Sequence, residues 1–279
     1  MVLESILSPE SAERNPLKIA LLSVIFVSVG IFSSIFIGYP NGFLLVALVA
    51  VPSVPLILNL FNYEEEGIEE GSVWGSRIAA RHLPIVVVLI AYFGGLLIGF
   101  GFWYIILPDE TGNSLFAVQI NELKNIGGSF GSVGGYAVKM DSVSAFELIF
   151  MHNLEVLAFI LLFSILYGSG AVFVLIWNAS VVSVFIVNMG KQFVLHEAPQ
   201  FSLISGLSYG ILGLIPHGTF ELLAYLVGAL AGGILSSAIV RKAYLRGEFA
   251  TVMRDIAKLA AWAIIFLAIG AVIESQAFA

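Results

Sequence analysis

Two segments of the sequence carry ionisable side chains at helical spacing inside otherwise apolar stretches. His152 and Glu155 are three residues apart, and His217 and Glu221 are four residues apart. Both spacings place the two side chains on one face of a helix. Imidazole nitrogens and carboxylate oxygens are ligands for divalent metal ions, and a bound metal ion can activate water for hydrolysis. One hypothesis is therefore a metal site built from these four residues.

Neighbouring amides extend the two pairs into an intramembrane polar cluster. Its members are His152, Asn153, Glu155, Asn178, His217 and Glu221. Ionisable groups in the hydrocarbon layer are costly and mark functional sites by default. The same side chains can instead hydrogen-bond to one another and fix helix packing. Structural pairing, a transport or ligand site and a metal site all stay open. No catalytic residue is assigned, and a divalent metal ion is the only cofactor considered.

Composition places the chain in a membrane. Of its 279 residues, 59% are hydrophobic and 11% are charged, whereas soluble domains carry about 25% charged residues. This excludes a soluble enzyme and a nucleic-acid-binding protein as the main identity, and it makes the lipid bilayer the first partner. The net charge of −7 also argues against polyanionic partners. The absence of cysteine excludes disulfides and thiol catalysis.

The spacing of apolar stretches predicts an all-α fold, a polytopic membrane bundle forming one transmembrane domain over residues 1–279. A crossing helix needs about 20 largely apolar residues. About seven stretches meet this condition: Leu17–Gly38, Gly42–Leu60, Leu83–Leu107, Ala145–Tyr167, Ala171–Met189, His217–Val240 and Ile256–Val272.

The remaining segments are predicted to lie outside the hydrocarbon layer. Residues 1–16 form an interfacial segment, in which Ser8 caps a short helix that begins at Pro9. The acidic stretch Glu64–Glu70 is expected to be a solvated loop. Residues 108–144 form an extracytoplasmic loop, with a glycine-rich flexible linker at 127–135. Solvated positions at the membrane edges are expected for His82 and His196.

The distribution of basic residues predicts the orientation, because Lys and Arg accumulate in cytoplasmic loops. The N-terminus is placed in the cytoplasm, and so is the strongest cluster, which begins at Arg241. An odd number of crossings must then lie between Phe201 and Val240. We therefore predict that Phe201–Ile215 forms a re-entrant or interfacial helix that ends at the Pro216 break. The C-terminus is placed outside; an eight-crossing alternative puts the basic cluster outside instead.

Several short motifs resemble the stage II sporulation protein M family. They are Pro216-His217-Gly218 followed by Glu221 and Gly232-Gly233, and Trp177-Asn178-Ala179-Ser180. The resemblance covers a family-like core, residues 145–240. The start of the chain, Leu3-Glu4-Ser5-Ile6 and Ser8-Pro9-Glu10, resembles the archaeal branch. One departure is His152, because the bacterial pattern often shows asparagine there.

The resemblance implies a multi-pass protein of the cell membrane. In spore-forming bacteria the family's namesake belongs to a membrane complex with cell-wall hydrolases during engulfment, and it acts there as an organiser. The resemblance therefore favours a non-enzymatic scaffold or complex subunit for envelope or membrane remodelling. Its expected partners are membrane or envelope proteins. The small-residue pattern Gly228-x-x-x-Gly232 also predicts a homodimer. Two alternatives remain: a transporter or channel with a polar mid-membrane site, and an intramembrane metal-dependent hydrolase.

Overall fold

The apolar stretches of the chain form long α-helices in the computed structural model. It describes residues 7–70, 78–129, 132–133, 136–137, 141–167, 170–192, 203–245 and 249–276. Within these residues the helices are α1 Pro9–Arg14, α2 Leu17–Ile37, α3 Gly42–Glu70, α4 Ile78–Ile106, α5 Asp109–Leu115, α6 Ala117–Ser129, α7 Ser142–Tyr167, α8 Gly170–Gln192, α9 Leu203–Val240 and α10 Phe249–Ser275. A 3-10 turn, Ala243–Leu245, follows α9.

Seven of the described helices are long and apolar enough to cross a membrane: α2, α3, α4, α7, α8, α9 and α10. The predicted all-α polytopic bundle is therefore confirmed. Helix α9 lies at the centre, where it packs against α3, α7, α8 and α10, while α2 packs on α3 and α4. Large apolar side chains such as Leu21, Phe36 and Ile98 are exposed on the outer faces. The orientation of the termini stays a prediction.

Local sequence explains two helix ends near the N-terminus. Ser8 caps α1, because its hydroxyl oxygen accepts a hydrogen bond from the backbone N–H of Ser11 at 3.3 Å. Helix α2 ends at Ile37 because Gly38 takes a φ of 76°, a region that favours glycine. The short helix predicted in the N-terminal segment is present. It also packs against the bundle, since Ala12 is buried.

Helix α9 corrects the prediction of a separate helix over Phe201–Ile215. It runs through Pro216 without interruption for 38 residues, which is about 57 Å at 1.5 Å per residue. A proline removes one backbone hydrogen bond, and membrane helices tolerate this where neighbours support the segment. Here α8 is the neighbour: a Cβ atom on Gly206 would lie 2.3 Å from the carbonyl oxygen of Gly190. A separate helix over Phe201–Ile215 is therefore not formed, and the region contains one long helix, in agreement with a single crossing.

The acidic segment after the second span corrects the prediction of a solvated loop. Helix α3 extends through it, and the side chains of Glu64 and Glu65 are buried. The Glu64 carboxylate pairs with Nδ1 of His82, which is buried and not solvated. Glu65 pairs with Arg241 of the chain after α9 at 2.5 Å. These partners come from distant parts of the sequence, so a local sequence pattern could not reveal them. His196 lies outside the described residues.

The polar segment 108–144 is partly folded onto the bundle. It contains α5, α6 and two antiparallel two-residue strands, β1 Ser132–Val133 and β2 Tyr136–Ala137. Gln119 of α6 is buried, and its Nε2 atom donates a hydrogen bond to the hydroxyl of Ser180 at 3.2 Å. Of the predicted flexible linker 127–135, residues 130–131 and 134–135 lie outside the described residues.

The glycines proposed for a homodimer face the interior of the subunit. A Cβ atom on Gly228 would lie 2.3 Å from Cδ1 of Leu157, and one on Gly232 would lie 2.6 Å from the hydroxyl oxygen of Ser164. Both contacts are with α7. Small residues let the two helix backbones approach closely, and in this chain they do so between α7 and α9. The pattern therefore gives no support to a dimer, which stays a prediction without it.

Candidate functional site

A hydrogen-bond network joins α7 to α9 inside the bundle. Nδ2 of Asn153 donates to Oε1 of Glu221 at 2.8 Å, and the hydroxyl of Tyr225 donates to Oδ1 of Asn153. Asn153 and Tyr225 are only 7% and 8% exposed. Both ends of the Asn153 amide are therefore committed, which offsets the cost of burying it. The sequence placed Asn153 and Glu221 in one cluster, and the structure brings these two residues together.

Helix α10 adds a second carboxyl group to the network. The side chain of Glu274 lies within hydrogen-bonding reach of the Glu221 side chain. An ionised carboxylate only accepts hydrogen bonds, so a bond between two carboxyl groups requires a proton on one of them. Gly270 allows this approach, because a Cβ atom there would lie 3.1 Å from Cγ of Glu221. The pair can therefore hold a proton between α9 and α10.

His152 and Glu155 face a different part of the molecule. They line a cavity of about 420 Å³ together with Glu122 of α6 and Trp177 and Asn178 of α8. The amide of Asn178 donates to the carbonyl oxygen of Val174 in its own helix at 2.9 Å. The sequence allowed the cluster members to bond to one another, whereas this bond of Asn178 lies within its own helix.

The four proposed metal ligands are divided between different surroundings. His152 and Glu155 line the 420 Å³ cavity, Glu221 lines a second cavity, and His217 lines neither of these two. Among the described residues, no group of three or more His, Asp or Glu side chains is close enough to hold a metal ion. Helix geometry explains this outcome: α7 presents His152 and Glu155 on a different face from Asn153, the residue that contacts α9. A shared site would need a rotation of α7.

The second cavity is an apolar groove between α4, α8 and α9 with a volume of about 560 Å³. Its walls include Gly94 and Ile105 of α4, Val187 of α8 and Leu207 of α9. At its inner end lie Glu221 and Tyr225, next to Phe93 and Gly94. The hydrogen-bond network thus borders a space that is large enough for a small ligand. We call this space the α4–α8–α9 groove.

Two members of the network were absent from the sequence-based cluster. Tyr225 follows Glu221 by four residues, so helical spacing alone placed the two on one face and could have suggested the pairing. Glu274 lies 53 positions after Glu221 (274 − 221). No periodicity links positions that far apart, and only the packing of α10 on α9 brings the two carboxyl groups together.

The helices that carry this network also carry the likeness to known proteins. The sequence matches the family described as Stage II sporulation protein M over residues 88–277. The chain belongs to this family. The match begins within α4 and runs to the end of the described residues. It includes Asn153, Glu221 and Glu274, so the whole hydrogen-bond network lies in the region shared with the family. No curated protein and no solved structure matches the chain significantly.

Proposed function

We propose that this protein is a non-enzymatic membrane scaffold, a subunit of a complex that remodels the cell envelope or membrane. Family membership supports the proposal, because the namesake is an organiser within a membrane complex. The observation that carries it is a hydrogen-bond network inside the bundle. Asn153 of α7 bonds to Glu221 and Tyr225 of α9, and these bonds join the two helices. Such bonds fix the relative position of helices. A scaffold needs this rigidity to present a constant surface to its partners.

The test is recovery of a defined complex from the native membrane. The tagged full chain is crosslinked in cells, solubilised in mild detergent and sized, and its components are quantified by mass spectrometry. We expect an envelope or membrane protein in fixed ratio to the chain. Particles with the mass of one chain in detergent, and no enriched partner, would contradict the proposal.

A transporter is the second candidate, and one observation favours it. Glu221 borders the α4–α8–α9 groove and lies close to the Glu274 carboxyl group, and ionisable groups in membrane helices form proton relays. The variant Glu221→Gln separates the two candidates. Glutamine keeps an oxygen that accepts from Asn153 and adds a donor for Glu274, so the protein should fold. A transporter should lose solute or proton flux in proteoliposomes, whereas a scaffold should keep its partners.

Metal binding by His152, Glu155, His217 and Glu221 would support the hydrolase alternative. Elemental analysis of the purified wild type beside His217→Ala tests it directly. Stoichiometric metal that disappears in the variant would favour a metal-dependent activity. Equal, trace amounts in both proteins would leave the two histidines as structural or proton-handling groups.

A further inference from the structure

We propose that the α4–α8–α9 groove binds one anionic phospholipid, with an acyl chain in the groove and the phosphate at Lys191. This inference is independent of the scaffold proposal. It starts from the depth of the groove. Phe93 and Gly94, at its inner end, lie in the middle of the α4 span His82–Ile106, and Ile105 lies at the end of that span. The groove therefore runs from mid-membrane to the side where α8 ends and α9 begins.

Along α4 the length of the groove matches one leaflet, whereas along α9 its lining runs from Leu207 to Tyr225, about 27 Å of helix. From Gly94 to Ile105 the helix rises about 17 Å, at 1.5 Å per residue. Half of the hydrocarbon core is about 15 Å thick. The part of the groove that α4 lines therefore has the length of an acyl chain in one leaflet. Glu221 and Tyr225 of α9 line the groove at its inner end.

Unfilled space lies in the groove beside Gly94, one of the residues that form its wall. A Cβ atom on Gly94 would meet no atom within 4 Å. The next residue, Gly95, behaves differently, since its Cβ would lie 2.2 Å from the carbonyl oxygen of Ala20 in α2. Gly95 is thus required for helix packing, while the space beside Gly94 is unfilled by the chain itself. An acyl chain fills such a space without a defined side-chain partner.

A cation stands where the headgroup of such a lipid would lie. Lys191 is one helical turn beyond Val187, which lines the groove, and it lies near the end of α8. Its Nζ atom is 5.0 Å from the centre of the Tyr104 ring on α4, so it sits over the α4–α8 seam. Asp109, 3.9 Å from the ammonium, is 92% exposed and therefore well screened by water. The Lys191 charge thus remains available to a phosphate.

The experiment uses the full chain in lipid nanodiscs that contain phosphatidylglycerol with a photoreactive diazirine in one acyl chain. After illumination, mass spectrometry locates and quantifies the labelled peptides. We expect labelling concentrated on the groove-lining parts of α4, α8 and α9. Gly94→Leu should reduce it at least fivefold by filling the groove. The matched control is Gly213→Leu, because a Cβ there also meets nothing within 4 Å, yet Gly213 does not line the groove.

The headgroup is tested with the same label on phosphatidylcholine. Wild type should be labelled more strongly by phosphatidylglycerol, and Lys191→Gln should remove this preference, whereas Lys124→Gln on the exposed face of α6 should not. Uniform labelling of all lipid-facing helices, unchanged by Gly94→Leu, would overturn the site. Equal labelling of wild type by the two lipids would overturn the assignment of an anionic headgroup. A protein partner that protects the groove from the label in native membranes would replace the lipid as the occupant.

Discussion

Asn153→Leu should destabilise the folded protein strongly, because this one substitution removes two hydrogen bonds between α7 and α9. Leucine has the same number and branching of side-chain heavy atoms but larger terminal groups and no hydrogen-bonding group. The change removes the bond to Glu221 at 2.8 Å and the bond from the Tyr225 hydroxyl. It leaves a carboxyl oxygen and a phenol hydroxyl without this partner in the buried region between α7 and α9. The predicted loss therefore tests whether the network holds these helices together.

The magnitude follows from two kinds of measurement on other proteins. A buried polar group left unsatisfied costs about 1–3 kcal/mol, which gives about 2–6 kcal/mol for two groups. Hydrogen bonds between membrane helices average about 0.6 kcal/mol and reach about 1.7 kcal/mol, which gives about 1–3 kcal/mol for two bonds. The ranges overlap at about 2–3 kcal/mol, and we expect a loss of this size in the free energy of unfolding.

Unfolding in detergent, followed by circular dichroism with increasing denaturant, measures this loss. Asn178→Leu is the matched control, because the Asn178 amide bonds only within its own helix, to Val174, among the contacts described. It should cost no more than about 0.5 kcal/mol. Tyr225→Phe and the double variant with Asn153→Leu complete a cycle. Their effects should be less than additive, since phenylalanine removes the orphaned hydroxyl. Equal losses for Asn153→Leu and Asn178→Leu would refute this reasoning.

Two further predictions concern charges at the side where α3 ends. Arg241→Gln leaves the fully buried Glu65 carboxylate without its guanidinium partner at 2.5 Å. The free energy of unfolding should therefore fall by about 3–5 kcal/mol. Lys242→Gln changes the exposed neighbouring residue and should have little effect in the same unfolding assay. The pKa of Glu13 in α1 is raised by burial and by the charges of Glu64 and Glu10; the folded state therefore loses stability as pH rises through the range where Glu13 ionises. Glu13→Gln should raise the midpoint of thermal unfolding at pH 7 and leave it unchanged near pH 3, and an equal shift at both pH values would contradict this.

The sequence by itself determined the class and the number of crossing helices. An apolar stretch of about 20 residues has few alternatives to a membrane helix, because backbone groups in lipid must bond within the segment. The same local logic placed the Ser8 cap of α1. It also grouped Asn153 with Glu221, since both lie in apolar stretches where polar side chains are rare. The family motifs between Trp177 and Gly233 were local as well, and the match over residues 88–277 confirmed the family.

Tertiary packing decided what local patterns left open. Pro216 signalled a break, yet the helix is packed on both sides of it, since Gly206 contacts Gly190 of α8 and Gly270 of α10 lies beside His217 and Phe220. The acidic end of α3 looked solvated, yet Glu65 within it is buried, because Arg241, 176 residues further along the chain, supplies the opposite charge. In each case the deciding partner lies outside the helix in question. Spacing along a chain specifies which face of a helix a residue occupies, but the neighbour of that face depends on how all the helices pack.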